Sequence, residues 1–405
     1  MSALFPFRAL RPDPGVASRV ASVPYDVVNT EEARALAAGN PLSFLHVTRS
    51  EIDLPPETSP YDASVYERAI ANFERLKASA PLVADEEPSL YCYRLRMGTH
   101  EQTGLAGCFS VDEYDRGLIK KHEKTRKDKE DDRTRHITML RAQTGLVFLT
   151  YRASEAVDAI VRRVKAGAPL YDFTAPDAVV HTVWRVTGAD RDALVAAFAA
   201  LDALYIADGH HRAASASRAA QTMRAAGDAS ADAQQFVAVA FPDSEMQILP
   251  YNRIVKDLAG HTPETFLAAL REVGRVRAGS ATPERPGEVS VLVGGAWHML
   301  QLPQPAPGAS HADSLDVEVL QQRVLQPLLK IGDPRTDKRV DFVGGIRGTA
   351  ELETLVSSGK AAIAFSMYPV GIGDLMSIAD AGGIMPPKST WFEPKLRDGL
   401  IVHTI

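Results

Sequence analysis

An acid, two imidazoles and a guanidinium fall within five consecutive residues, Asp208-Gly209-His210-His211-Arg212. Together these groups can neutralise phosphate charge, hold a cation and move protons. The preceding run, Ala203 to Ala207, is short and continuously apolar, as in a strand covered on both faces. After the cluster, Ala213, Ala216, Ala220 and Met223 recur on one helical face and are small enough for close packing on a sheet. The spacing predicts a strand, a tight turn at Gly209 and a helix. A helix start offers N–H groups to an anion, and Arg212 adds a charge suited to phosphate. The plainer alternative is a capped helix with a solvated histidine pair, against which four polar groups in one turn weigh.

A second concentration of chemistry is Lys121-His122-Glu123-Lys124-Thr125. From Lys120 to Arg141 nine Lys/Arg stand against five Asp/Glu, in a chain of net charge −6. Thr125 is expected to cap a helix running to about Gln143, with Lys129, Arg133 and His136 on one face. Cations at a helix start repel its dipole unless an anion neutralises them, so this segment is expected to meet phosphate. The alternative is a solvated charged helix. A third candidate is Pro386-Pro387-Lys388-Ser389-Thr390 with Pro394-Lys395, where prolines can hold polar groups rigidly for a ligand. Tyr25-Asp26 and Asn252-Arg253 are further polar positions in apolar surroundings.

The bulk properties exclude several classes. A chain of 405 residues with 45% hydrophobic and 24% charged residues reads as globular and multidomain. Two cysteines, Cys92 and Cys108, form no metal-binding pair and fit a reducing compartment. The first residues lack a secretory pattern and no apolar run reaches bilayer length, so a cytoplasmic protein with neither membrane nor nucleic-acid partner is expected. A phosphate-loop motif, a dinucleotide glycine fingerprint, His-Glu-x-x-His and a Gly-x-Ser-x-Gly elbow are all missing from the sequence. Adjacent His210 and His211 are expected to point apart, which disfavours a metal held by both.

The positioning elements read as an α+β chain of mixed sheets with packed helices. Strands are expected at 44–48, 90–97, 105–111, 144–151, 179–186 and 236–241, and helical spacing runs over 61–80 up to Pro81. A hairpin is expected across Gly294-Gly295, and a helix over 315–331. A composition break falls near residues 275–290, and the expected organisation is an N-terminal α/β segment at 1–85 packing on the core, a central phosphate- or nucleotide-binding domain at 86–275 and a C-terminal α+β domain at 276–405 with a closing loop.

Val23-Pro24-Tyr25-Asp26-Val27, Lys121 to Thr125 with Arg133, Ile206 to Arg212, Asn252-Arg253, and Pro386 to Thr390 with Pro394-Lys395 resemble, in this order, the bacterial and archaeal family called domain of unknown function 1015. Asp208 to Arg212 also resembles the Asp-Gly-His-His-Arg box of free serine kinases in the ParB/sulfiredoxin-like superfamily, which implies a ParB/sulfiredoxin-like central region that handles nucleotide phosphate. The resemblance implies a phosphotransferase using ATP or ADP with Mg²⁺ on a small-molecule substrate, either phosphorylating free serine or removing phosphate from phosphoserine. Glu123, Asp208, His210 and His211 are then the catalytic candidates, with Asp208 the Mg²⁺ ligand or the group orienting His211. Gly209, Arg212, Lys121, His122, Lys124, Thr125 and Arg133 would hold phosphate. Tyr25, Asp26, Asn252, Arg253, Lys388, Ser389, Thr390 and Lys395 would hold substrate, with Lys388 to Thr390 closing over the site. A second copy of the chain is a further expected partner. The alternatives are a ParB-like nucleotide switch without turnover and a hydrolase using a histidine nucleophile.

Overall fold

The computed structural model describes residues 3–79 and 82–405, so Pro81 lies outside the described residues. The chain forms two compact units, one running to Met246 and completed by Pro394–Ile405, the other comprising Gln247–Glu393. This division differs from boundaries at 85 and 275. The first 85 residues share a core with the helix that follows the lysine-rich segment: Phe44, Val47, Phe73 and Leu76 cluster with Leu140 and Ala142. No helix among the described residues is long and apolar enough to cross a membrane.

The larger unit is built on a nine-stranded mixed sheet: β1 (Leu4–Phe5), β2 (Leu90–Met97), β3 (His100–Ser110), β4 (Ile119–Lys120), β5 (Val147–Tyr151), β6 (Tyr171–Thr174), β7 (Val180–Val186), β8 (Leu204–Asp208) and β9 (Gln235–Pro242). Their order is β4-β8-β5-β9-β3-β2-β7-β6, with β1 beside β3. The pairs β5–β9 and β4–β8 are parallel and the rest antiparallel. The principal helices are α1 (Ala63–Ser79), α2 (Lys127–Leu140), α3 (Glu155–Lys165), α4 (Gly188–Ala199) and α5 (His210–Ala225). As the small-residue spacing predicts, Ala213, Ala216, Ala220 and Met223 of α5 are buried in one cluster with Val147, Leu149, Ile206 and Ala238 of the sheet.

Two local expectations are corrected. Residues 44–48 are not a strand: Phe44 precedes a short helix, Leu45–Thr48, which leads into a 3₁₀ turn, Ser50–Asp53. His46 Nδ1 lies 2.9 Å from Asp53 Oδ1, and Asn72 of α1 donates to the His46 carbonyl. Five residues cannot separate a helical from a strand period, and these local bonds decide it. Thr125 does not cap α2, which begins at Lys127 with Arg126 as its N-cap residue. The Thr125 hydroxyl instead donates to Glu130. Asp128 and Glu130 occupy the first turn, so the helix carries its own anions and its dipole needs no phosphate.

The smaller unit is a six-stranded antiparallel sheet of β10 (Tyr251–Val255), β11 (Val276–Ala278), β12 (Glu288–Val293), β13 (Ala296–Gln301), β14 (Val340–Gly344) and β15 (Ile363–Met367), in the order β11-β13-β12-β15-β10-β14. The β12–β13 hairpin turns at Gly294-Gly295, where both φ angles are positive. The helix expected over 315–331 is interrupted by a π-helical turn, Gln321–Leu325, between Asp316–Leu320 and Gln326–Leu329. Pro327 lacks the N–H that an unbroken ladder would use.

The last twelve residues return to the larger unit. Asp398 and Ser22 exchange main-chain hydrogen bonds, as do Val402 and Leu10, and His403–Thr404 pair with Ala142–Gln143. Gly399 makes this path possible: its φ is +87°, and a Cβ there would lie 2.6 Å from Cγ of Phe44. Gly399→Ala is expected to destabilise the protein by about 2–4 kcal/mol, read as a lowered denaturant midpoint. An unchanged midpoint would show that this turn can relax.

Candidate functional site

The polar turn sits at the end of β8, beside the short edge strand β4. Ile206 pairs with Leu149 and Asp208 with Phe148, so Ala207 is a bulge that re-aims the strand end. Gly209 follows in the left-handed conformation, φ 89° and ψ 30°, and donates its N–H to Asp208 Oδ1 at 2.8 Å. Helix α5 starts at the next residue with no side-chain cap. Its first main-chain N–H groups are those a helix leaves without an intrahelical acceptor.

Arg212, one turn into α5, is 7% exposed. Its guanidinium donates to the Leu146 carbonyl and to Asp26 Oδ2 at 3.2 Å, and lies 3.7 Å from Asp208 Oδ2. Burial works against this charge, but Asp26, Asp208 and Asp398 together raise the guanidinium above its ordinary range. Lys395, carried in by the C-terminal segment, places Nζ 3.1 Å from Asp208 Oδ2. Burial would raise Asp208, but Lys395 and Arg212 outweigh it and hold the carboxyl well below the usual carboxylate range.

Next to this charged group lies a nearly neutral one. His210 and His122 are buried, their rings 4.4 Å apart and close to perpendicular at 87°. The main-chain N–H of His122 points at His210 Nε2 from 3.5 Å, and His210 Nδ1 lies 3.8 Å from Glu123 Oε2. Burial lowers His122 to about 4, with Asp208 opposing. Burial, then His122 itself, puts His210 well below its ordinary value. Both rings are therefore neutral at neutral pH. His211 turns elsewhere, its Nε2 accepting the N–H of Arg126 at 3.0 Å. The chain thus brings Asp26, His122, Glu123, Asp208, His210, Arg212 and Lys395 into one neighbourhood of the larger unit.

Other members of the lysine-rich segment have structural partners. Lys121 Nζ lies 3.6 Å from the Tyr114 ring centroid. The Arg133 guanidinium stacks 4.4 Å from the centre of the buried Tyr25 ring, pairs with Asp132 at 2.8 Å and is directed at the Thr48 carbonyl. Asn252, Arg253, Lys388, Ser389 and Thr390 belong to the smaller unit. There Asn252 accepts the N–H of Met367, and Arg253 donates to the Lys388 carbonyl at 3.0 Å. Burial lowers Arg253 to about 10. Lys388 has a left-handed φ of 57° and holds its ammonium 5.4 Å from the Tyr251 ring centre, while Ser389 donates to the Pro386 carbonyl at 2.5 Å.

One member of the site was not legible in the sequence. Asp398 reads as the first residue of an Asp-Gly turn, yet it is 1% exposed and lines a cavity of about 30 Å³ with Tyr25, Arg133, Gly145 and Arg212. No side chain hydrogen-bonds to either carboxylate oxygen, and the main-chain N–H of Tyr25 is the one donor that acts on the group. Burial, countered by Arg212 and reinforced by Asp26, raises its carboxyl to about 7. An unfolded aspartate titrates near 4. The contribution of this group to stability is therefore greatest below about pH 4 and is lost as the pH rises through about 7. Asp398→Asn is expected to raise stability at pH 8 by up to about 4 kcal/mol, the gain shrinking toward pH 5, in denaturant titrations of both proteins. A gain independent of pH, or a loss at pH 8, would contradict a buried acid that titrates near neutrality.

No curated protein matches the chain. Among solved structures, a free serine kinase in complex with AMP aligns over 73% of this chain and 91% of its own, at 11% identity and a TM-score of 0.37. SbnI with a C-terminal truncation, from Staphylococcus aureus, aligns over 72% and 85% at 12% identity and a TM-score of 0.39. A conserved hypothetical protein from Pyrococcus furiosus aligns over 73% and 94% at 13% identity and a TM-score of 0.35. The sequence profile of the family described as Protein of unknown function (DUF1015) matches residues 4–319. That match spans most of the chain and includes both polar segments of the site, and the chain belongs to this family.

Proposed function

We propose that the larger unit carries a nucleotide-dependent phosphotransferase site acting on the hydroxyl of free serine, or in reverse on phosphoserine. The observation that carries this reading is the start of α5, which has no side-chain cap and lies beside Lys395, Arg212 and Glu123. Main-chain N–H groups at a helix start favour a phosphate, and little else in phosphoryl transfer needs covalent help from the protein. The likeness of Asp208 to Arg212 to the box of free serine kinases, and more broadly of ParB/sulfiredoxin-like proteins, agrees with it.

The residues divide by task. The N–H groups of His210 and His211 and the Lys395 ammonium would bind the phosphates of ATP or ADP. Arg212 is buried and committed to Asp26 and a carbonyl, so it acts on the phosphates through its field and through the shape of the turn. Asp208 is engaged by Lys395, Gly209 and Arg212, a set that leaves it a poor Mg²⁺ ligand. Its role in this reading is to aim Lys395, and Mg²⁺ arrives with the nucleotide as part of that substrate.

Glu123, whose side chain is 47% exposed, is the acceptor of the proton from the attacking hydroxyl. The hydroxyl oxygen bonds to the γ-phosphorus, the bond from phosphorus to the bridging oxygen breaks, and ADP leaves with that electron pair. In the reverse direction Glu123 returns the proton to the serine oxygen.

Purified full-length protein with Mg²⁺, ATP and L-serine, or with ADP and phosphoserine, is expected to interconvert the nucleotides, followed by chromatography. Glu123→Gln should lower kcat by about 10²–10⁴-fold while nucleotide affinity changes far less. Folded protein without turnover in either direction would remove the proposal, and nucleotide binding without turnover would favour the switch reading.

A further inference from the structure

The pair of buried imidazoles is more than phosphotransfer requires. His122 is 2% exposed, and the main chain of Ile206 is the one hydrogen-bonding group that acts on its ring, so a ring nitrogen is left without a partner among the described residues. Buried polar nitrogens without partners are costly, and a neutral imidazole left so has a lone pair for a ligand to use. The ring stands against His210, which is 5% exposed, and next to the carboxylate of the adjacent residue Glu123. One ligand atom from each of His122, Glu123 and His210 can be chosen so that all lie within 4.8 Å of one another.

The geometry points to a binding site for a divalent transition-metal cation, Zn²⁺ or a similar ion, held by His122, Glu123 and His210. Two ligands on one such ion, each about 2.0–2.2 Å from it, stand roughly 3.5 Å apart in tetrahedral geometry. His210 Nδ1 and Glu123 Oε2 are 3.8 Å apart, close to that spacing before any adjustment. The partly exposed Glu123 side chain can close the remainder, and a fourth position stays open to water. The His122 N–H contact to His210 Nε2 is long, at 3.5 Å, and gives way easily when Nδ1 takes a metal.

Charge and ligand type agree. Asp208 adds negative potential at both rings, which favours a cation between them. His211 and Arg212 oppose a cation at His210, but His211 is turned toward Arg126 and Arg212 toward its own acids. Two imidazoles and one carboxylate suit zinc, iron or cobalt, whereas Mg²⁺ seeks oxygen ligands. The site is therefore distinct from any Mg²⁺ that accompanies a nucleotide.

Metal binding here does not depend on the phosphotransfer reading. One consequence does rest on it: the Glu123 carboxylate cannot both ligate the ion and accept a hydroxyl proton, so Zn²⁺ is expected to inhibit turnover.

The test is titration of chelator-treated, full-length protein with Co²⁺, followed by visible absorption, and with Zn²⁺ against a chromophoric chelator. The expected result is one ion per chain, with Co²⁺ bands of four- or five-coordinate intensity. Glu123→Gln and His122→Phe, each verified as folded by circular dichroism, should weaken binding at least tenfold, and excess Mg²⁺ should not compete. Unchanged affinity in both variants, or displacement of Co²⁺ by millimolar Mg²⁺, would overturn the site. Phosphotransfer is assayed separately with Mg²⁺ after chelator treatment, so a failed metal site and a failed catalytic reading give different results.

Discussion

A guanidinium that is buried must be surrounded by acids and carbonyls, and Arg212 imposes that requirement on the whole larger unit. Its partners come from distant parts of the chain: Asp26 from the N-terminal segment, the Leu146 carbonyl from the start of β5, and Asp208 from the end of β8. Breaking a buried ion pair by removing one partner typically costs several kcal/mol, because the other charge is left uncompensated. The turn after β8 is thus held in place by that buried charge and the acids paired with it. Lys395 extends the arrangement from the opposite end of the sequence, and Gly399 allows the chain to reach there.

This concentration of charge carries its own strain. Asp26, Asp208 and Asp398 compete for Arg212, and no side chain hydrogen-bonds to Asp398. Its carboxyl is raised toward neutrality, so its charge is partly suppressed where the cluster would otherwise hold too many acids. A few ångströms away the environment has the opposite character. His122 and His210 are buried and stay neutral, with the Glu123 carboxylate 3.8 Å from the ring of His210. A cationic helix start next to a carboxylate and two uncharged rings can separate phosphate binding from proton or metal chemistry.

The motif at 208–212 was legible because its signals are local. An apolar run, a glycine that takes φ 89°, and a helix with alanines on one face are properties of consecutive residues, and each appears in the structure. The lysine-rich segment misled for the same reason. Counting charges placed a helix start among the cations, whereas α2 begins later and supplies Asp128 and Glu130 to its own first turn. Lys121 and Arg133 spend their charge on the Tyr114 and Tyr25 rings. Nothing near residue 44 could distinguish a strand from the short helix that His46 and Asp53 stabilise.

By itself, the sequence determined the α+β character, the strand–turn–helix at Asp208 to Arg212 and the membership of a family, because periodicity, glycine placement and motif order are written along the chain. Only the tertiary structure decided that His122 faces His210, that Lys395 meets Asp208, and that Asp398 is a buried acid. Those pairings span 88 residues in one case and 187 in another. They depend on which strands adjoin and on where the C-terminal segment returns. No spacing rule encodes them, since the field at a side chain is set by groups that become neighbours only after the sheet has formed.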